Sequence, residues 1–250
     1  MITIKTPEQI TKMKEAGRIL SELRKELEQH LKPGVSTLKL DEIANNFLTK
    51  QGVVSSFLNY EGYKHSICAS VNDCVVHGIP SKDVVLKDGD IISLDLGVYK
   101  DGFHADSAWT YEIGEVKPEV QDLVKRTYES LEEAMKVVKP GNFITDIGKA
   151  IENYLKPFKY GIVREFCGHG IGEKLHEDPY IFHFNQHVKH TEIKEGMTIC
   201  IEPMVNLGSH KVKVLKDGWT TVTKDHKPAA HFEYTLLVTK EGCEVLTPKI

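Results

Sequence analysis

Leu86-Lys87-Asp88-Gly89-Asp90-Ile91-Ile92-Ser93-Leu94-Asp95 and Ile193-Lys194-Glu195-Gly196-Met197-Thr198-Ile199-Cys200-Ile201-Glu202 are two copies of one pattern, 107 positions apart. Each runs from a polar turn with glycine into an apolar strand, and each ends on a carboxylate. A carboxylate at the end of a buried strand is costly unless a positive partner meets it. Two such strands related by an internal repeat can bring two carboxylates to one place, which is one way to build a metal site.

The repeat continues upstream at the same offset. Lys32-Pro33-Gly34 matches Lys139-Pro140-Gly141, and each is followed by a helical pattern: Leu40, Ala44, Phe47, Leu48 in one copy and Ile147, Ile151, Tyr154, Leu155 in the other. Amphipathic stretches precede each, around 7–31 and 116–138. Each half therefore reads helix, Lys-Pro-Gly, helix, strands. The period is too long for a solenoid or propeller. It predicts an α+β fold in which two halves, approximately 1–114 and 115–250, form one pseudo-symmetric domain, with the seam at Gly114–Pro118. Chance likeness of two turn-strand segments is the competing reading; the shared order and offset of several elements weigh against it.

Composition bounds the partners. The 250 residues carry a net charge of −4, 40% hydrophobic and 27% charged residues. This is ordinary for a soluble protein and implies no broad attraction to nucleic acid. No run approaches the ~18 apolar residues of a membrane span, and Met1-Ile2-Thr3-Ile4-Lys5 lacks a secretory pattern. Cys68, Cys74, Cys167, Cys200 and Cys243 form no Cys-x-x-Cys pair. A sparse, odd count suits reduced thiols in the cytoplasm.

Local signals place the elements. Thr6-Pro7-Glu8-Gln9 starts a helix, with Thr as N-cap and Pro in the first turn. Gly34 reads as a left-handed helix cap. Thr37 or Asp41 opens the next helix and Gly52 closes it. Residues 53–113 read as strand and turn, and strands are expected over 162–170, 197–205, 211–222 and 231–248, the last two with breaks. The lysine-rich stretch 11–32 mixes both signs and reads as a solvated face.

Ile91–Val98 and Phe103–Ile113 read as a hairpin around Tyr99-Lys100-Asp101-Gly102, because Asp-Gly is a strong turn signal. A turn centred between Lys100 and Asp101 makes Asp95 and Asp106 direct cross-strand partners, with Cβ atoms ~5 Å apart. Like charges so placed need a cation or a shared proton; the alternative, that both face water or cap turns, stays open on this pair alone. Glu202 aligns with Asp95, and His231-Phe232-Glu233-Tyr234-Thr235 parallels His104-Ala105-Asp106-Ser107-Ala108, so Glu233 aligns with Asp106. His169 in Gly168-His169-Gly170-Ile171-Gly172 is a fifth candidate, its glycines permitting unusual angles or close approach. Four carboxylates and one imidazole suit a pair of divalent first-row ions better than a structural zinc. Metal-assisted hydrolysis is then the expected reaction class. There is no His-Glu-x-x-His and no Gly-x-Ser-x-Gly, which argues against a zincin and a serine hydrolase.

These residues carry a resemblance. Val76-His77-Gly78-Ile79-Pro80, Leu94-Asp95-Leu96-Gly97, His104-Ala105-Asp106-Ser107, Cys167-Gly168-His169-Gly170-Ile171-Gly172 with His176-Glu177, Ile201-Glu202-Pro203 and Phe232-Glu233-Tyr234-Thr235 together resemble the type I methionine aminopeptidases, over essentially the whole chain. The resemblance implies the pita-bread (creatinase/aminopeptidase) fold around a dinuclear metal site. The implied ligands are Asp95, Asp106, His169, Glu202 and Glu233, and the ions are Co, Mn, Fe or Zn. It implies that His77 and His176 contact the substrate and stabilise the reacting peptide group, and that Tyr60, Tyr63, Cys68 and Trp219 line a methionine pocket. The implied reaction removes the initiator methionine from nascent polypeptides before a small second residue, a metal-bridged hydroxide attacking the carbonyl while Glu202 shuttles protons. The implied setting is a cytoplasmic monomer, with the ribosome as a candidate partner and neither nucleic acid as substrate nor membrane involved. The short His169–Glu202 interval favours type I over type II, whose members carry an insertion there, and the absence of a zinc-finger or linker extension before the first helix resembles the short bacterial form. Tyr234 departs from the usual His, and Phe57 and Leu175 stand where other members carry different residues. His183, His187 and His190 share a tempting spacing but read as an exposed connection near Pro179. An Xaa-Pro peptidase and a non-catalytic binding protein of the same fold are the rival readings.

Overall fold

The computed structural model describes residues 2–189 and 191–250; Met1 and His190 lie outside the described residues. Its element order runs twice through one theme. The first pass is α1 (Pro7–Glu28), α2 (Thr37–Lys50), β1 (Val54–Ser55), β2 (Ile67–Val71), β3 (Cys74–Val76), β4 (Ile91–Lys100) and β5 (Phe103–Glu112). The second is α3 (Pro118–Lys136), α4 (Ile144–Leu155), β6 (Gly161–Ile162), β7 (Gly168–Gly170), β8 (Glu177–Ile181), β9 (Thr198–Ile201), β10 (Met204–Asn206), β11 (Val212–Val214), β12 (Thr221–Thr223), β13 (Ala229–His231), β14 (Tyr234–Val238) and β15 (Cys243–Val245).

Local chemistry sets the helices. The Thr6 side chain accepts the Gln9 N–H while the Gln9 side chain accepts the Thr6 N–H, a reciprocal cap. The stretch 11–32 is not wholly solvated: α1 buries Leu20, Leu23 and Leu27 against β4 and β5. It also buries Arg24, whose guanidinium donates to Ser107 Oγ at 3.0 Å and to the Thr247 carbonyl. Gly34 does have φ +91°, but α1 ends at Glu28. It turns the chain in Lys-Pro-Gly, its N–H bonded to the Leu86 carbonyl at 2.8 Å, rather than capping the helix. Thr37 does open α2, with Ser36 before it as the N-cap.

Two principal sheets carry the halves. β4 pairs with β5 along one edge and with β2 and β1 along the other. The second sheet has the order β15-β14-β9-β7-β8. Each rests on its own helices: Leu40, Leu94 and Leu96 belong to the first core, and Leu123, Ile147, Ile199 and Leu236 to the second. The short strand β8 falls outside the strands expected from sequence.

The β4–β5 register corrects the expected pairing. Asp95 lies opposite Ala108 and Asp106 opposite Gly97. Asp101 and Gly102 are the two loop residues, both left-handed at φ 49° and 89°, flanked by the pair Lys100 and Phe103. A two-residue hairpin with both central residues at positive φ centres on Asp-Gly itself, one position beyond the centre assumed. The shift moves the pairing by two residues, so both aspartates keep the same face as diagonal neighbours.

Candidate metal centre and substrate cavity

Asp95 and Asp106 reach the site from β4 and β5, His169 from the middle of β7, Glu202 from just beyond β9 and Glu233 from just before β14. β9 pairs with β14 so that Ile201 faces Tyr234, which aligns the two glutamates. The Glu233 N–H then donates to the Ala108 carbonyl at 2.8 Å, joining the two halves at the ligands. Glycine flanks His169 for one reason only. A Cβ at position 168 would collide with the Cys200 carbonyl, and one at 170 with the Asp178 carbonyl. Neither has positive φ, so close approach rather than an unusual angle is what β7 requires.

The five side chains converge. His169 Nε2 stands 3.6 Å from Glu202 Oε1 and 4.0 Å from both Asp106 Oδ2 and Glu233 Oε1. Ligand atoms of Asp95, Asp106 and Glu233 lie within 4.8 Å of one another. His169 Nδ1–H donates to the Gly170 carbonyl at 2.8 Å, which fixes the tautomer and leaves the Nε2 lone pair for a cation. Asp106 and Glu233 are buried, while Asp95 and Glu202 are partly exposed toward the cavity.

The electrostatics call for positive charge. Burial, followed by the neighbouring carboxylates, pushes Asp106, Glu202 and Glu233 well above the usual carboxylate range, and burial raises Asp95. Burial also pushes His169 down to about 3. Asp95 Oδ1, Asp106 Oδ1 and Glu233 Oε1 are buried with no hydrogen-bond partner. Orphaned carboxylate oxygens aimed at a common point beside a free imidazole lone pair are the donor set of a divalent metal site.

All eleven residues singled out from the sequence line one cavity of about 230 Å³, joined by Phe57, Glu61 and Leu175. Phe57, Tyr63, Cys68 and Leu175 form an apolar cluster beside the carboxylates, with Tyr60 and Trp219 packed against it. Trp219 stacks edge-on to Tyr63 with centroids 5.0 Å apart. His77, at left-handed φ 58°, packs edge-on to Phe166, and burial lowers its pKa to about 4. His176 stands exposed at the rim, its ring 4.4 Å from that of His169, and its Nδ1 shares a 2.7 Å hydrogen bond with the Tyr60 hydroxyl. Glu177, next in the chain, is pinned by Lys5 Nζ at 2.8 Å and by the Lys174 N–H at 3.1 Å. Tyr234 turns away from the cavity and packs its ring near Trp109.

Sequence reasoning missed four neighbours of the site. His183, expected in an exposed connection, is fully buried, and its Nε2 accepts the Glu202 N–H at 3.2 Å; only His187 of that group is exposed among the described residues. Thr235 Oγ1 accepts the Asp106 N–H and donates to the Asp106 carbonyl. Cys200 lies fully buried with a ligand atom within 4.8 Å of those of His169 and Glu233. His231 is 1% exposed with Nε2 3.6 Å from Glu202 Oε2. Cys200, His231 and Thr235 each stand two residues from a candidate ligand, so strand alternation was the signal available for them; the spacing of His183 with His187 and His190 marked it, but nothing local signalled its burial beside Glu202.

Comparison with known proteins places the chain in a family. The model of metallopeptidase family M24 matches residues 11–240. Methionine aminopeptidase 1 of Bacillus subtilis is 48% identical over 247 residues, covering 99% of both chains. The crystal structure of methionine aminopeptidase from Rickettsia prowazekii superposes with a TM-score of 0.97 at 38% identity, over 99% of this chain and 100% of that one. Prolidase from Pyrococcus furiosus, at 22% identity and a TM-score of 0.81, over 98% of this chain and 65% of that one, shares the fold.

Proposed function

The chain belongs to metallopeptidase family M24 and, within it, to the methionine aminopeptidases, and on that premise we propose how its own residues remove the N-terminal methionine of a nascent polypeptide. The enzyme is a metal-dependent hydrolase. Asp95, Asp106, His169, Glu202 and Glu233 would hold two divalent ions, whose combined charge matches four carboxylates. Bound there, such ions supply Lewis-acid polarisation of the peptide carbonyl and water of lowered pKa.

The protein groups do the rest. The apolar end made by Phe57, Tyr63, Cys68, Leu175 and Trp219 takes the methionine side chain, whose thioether packs well against aromatic edges. Glu202, a partly exposed carboxylate lining the cavity, carries a proton from the attacking water toward the leaving amine. His77 and His176 donate hydrogen bonds to the peptide group as charge builds on its oxygen. The Tyr60 hydroxyl, donating to His176 Nδ1, leaves the His176 proton on Nε2. The enzyme is read as preferring a small second residue after the methionine, as its likeness to the methionine aminopeptidases implies. The protein is read as a cytoplasmic monomer that meets its substrates at the ribosome; co-sedimentation with translating ribosomes is the check, and a protein left wholly in the supernatant removes that partner. Among the described residues no helix is long and apolar enough to cross a membrane.

One observation carries this reading: four carboxylates and an imidazole nitrogen with its lone pair free meet at the floor of a cavity whose other end is apolar. The test is methionine release from Met-Ala-Ser by metal-stripped protein titrated with Mn(II), Co(II), Fe(II) and Zn(II), beside Glu202→Ala and an Xaa-Pro peptide. Metal-dependent release from Met-Ala-Ser alone, lost in Glu202→Ala, is the expected result. No turnover with any ion, despite calorimetric binding, overturns it in favour of a binding protein, and turnover of the Xaa-Pro peptide alone favours that peptidase.

A further inference from the structure

His231 is a buried imidazole that neither the five ligands nor the substrate cavity accounts for. Neither of its ring nitrogens has a hydrogen-bond partner, yet Nε2 stands 3.6 Å from Glu202 Oε2. The other oxygen of that carboxylate, Oε1, stands 3.6 Å from His169 Nε2. The backbone N–H of Glu202 goes to His183 Nε2. Glu202 is thus bracketed by three imidazoles, one at each carboxylate oxygen and one at its backbone.

The direction of the His231 ring is set by the backbone around it. Its N–H donates to Thr110 Oγ1 at 2.9 Å, and its carbonyl accepts the Thr110 hydroxyl at 2.8 Å. β13 also pairs with β10, placing His231 opposite Met204. The ring is therefore delivered to the Glu202 carboxylate by strands from both halves. A buried polar nitrogen calls for a partner, and Glu202 Oε2 is the acceptor the structure sets before it.

We propose that His231 is a positioning residue for Glu202, its Nε2–H donating to Oε2 and so reserving Oε1 for the His169 side. The terminal torsion of glutamate is broad, and a carboxylate free to turn can present both oxygens to a cation. Held at Oε2, it keeps one oxygen for the ligand cluster and one for the proton. The inference rests on the reading of Glu202 as ligand and proton carrier.

Long-range proton–nitrogen NMR of the metal-stripped protein with labelled histidine tests the contact itself. The expected result is a His231 ring protonated on Nε2 whose resonances move in Glu202→Gln. A proton on Nδ1, or resonances unmoved by Glu202→Gln, overturns the proposal, and this reading stands whether or not the protein releases methionine. In the metal-loaded enzyme, His231→Leu keeps the bulk and removes the donor. Its kcat on Met-Ala-Ser is expected to fall about 10- to 100-fold with KM within about twofold, and His231→Gln, which keeps a side-chain donor, is expected to recover most of the loss. Unchanged kcat in His231→Leu, or a raised KM at constant kcat, also overturns it. Absence of methionine release from the unaltered protein would instead count against the proposed function alone.

Discussion

Tyr60 shows how much one hydroxyl can be asked to do. Its ring belongs to the cavity wall, while its hydroxyl meets His176 Nδ1 at 2.7 Å. The backbone around it is unusual: Asn59 and Glu61 hold φ of 68° and 47° without being glycine, and Gly62 follows at 91°. Residues kept in the left-handed region persist where surrounding contacts over-determine them, and the Tyr60–His176 bond is one such contact. On the proposed reading, the same side chain lines the methionine pocket and sets which nitrogen of a rim histidine carries the proton. Tyr60→Phe keeps the wall and deletes the bond. Steady-state kinetics on Met-Ala-Ser should show kcat/KM reduced roughly twofold to tenfold, the worth of one net hydrogen bond of ~0.5–1.5 kcal/mol, with most of the change in kcat. A loss confined to KM would show that the hydroxyl serves only to line the pocket.

Among elements, β7 is closely enclosed on both sides. It lies between β8 and β9, with His169 paired to Tyr180 on one side and Cys200 on the other. Gly170→Ala would push a methyl group into the Asp178 carbonyl. Overpacking of this kind costs about 1–3 kcal/mol, and here the strand that must yield carries the proposed ligand His169. Denaturant unfolding should therefore show a lower midpoint at unchanged slope, and calorimetry a weaker Mn(II) affinity; a variant with wild-type affinity would mean that His169 tolerates displacement of its strand. The glycine spacing was legible in the sequence, and so was the repeated order of helix, Lys-Pro-Gly, helix and strands, because hydrophobic period and turn chemistry are local. The β4–β5 pairing was legible only in parity. Asp101-Gly102 announced the hairpin, but the exact pairing depends on both loop residues taking positive φ, and misjudging that centre by one position displaces every pair by two. His183 was illegible for a different reason. Its partner is the backbone of Glu202, reached through the fold of β8 and β9, and no periodicity in its own segment reports a contact made across the sheet.

Over the whole molecule, the proposed ligands sit where the halves join. Asp106 bonds Thr235 through both its N–H and carbonyl, Ser107 Oγ donates to the Glu233 carbonyl, and Thr110 bonds His231 in both directions. We propose on these bonds that residues 1–114 and 115–250 unfold as one unit. The same junction concentrates four carboxylates whose folded-state pKa values lie above those of an unfolded chain. Between the unfolded value near 4 and the raised folded value, the native protein binds more protons than the unfolded chain. Stability from this source is fully present below the unfolded pKa and is lost as pH rises through the folded one. Divalent cations replace those protons and bind the native state far better than the unfolded chain, so their contribution grows as the protons leave. Calorimetric melts of metal-stripped and Mn(II)-loaded protein at pH 5.5 and pH 8 should thus each show a single transition, with a gap in Tm that is wider at pH 8. Two separate transitions would break the molecule at its seam. A gap that stayed equal, or narrowed, would mean that the carboxylates are not where the ions bind.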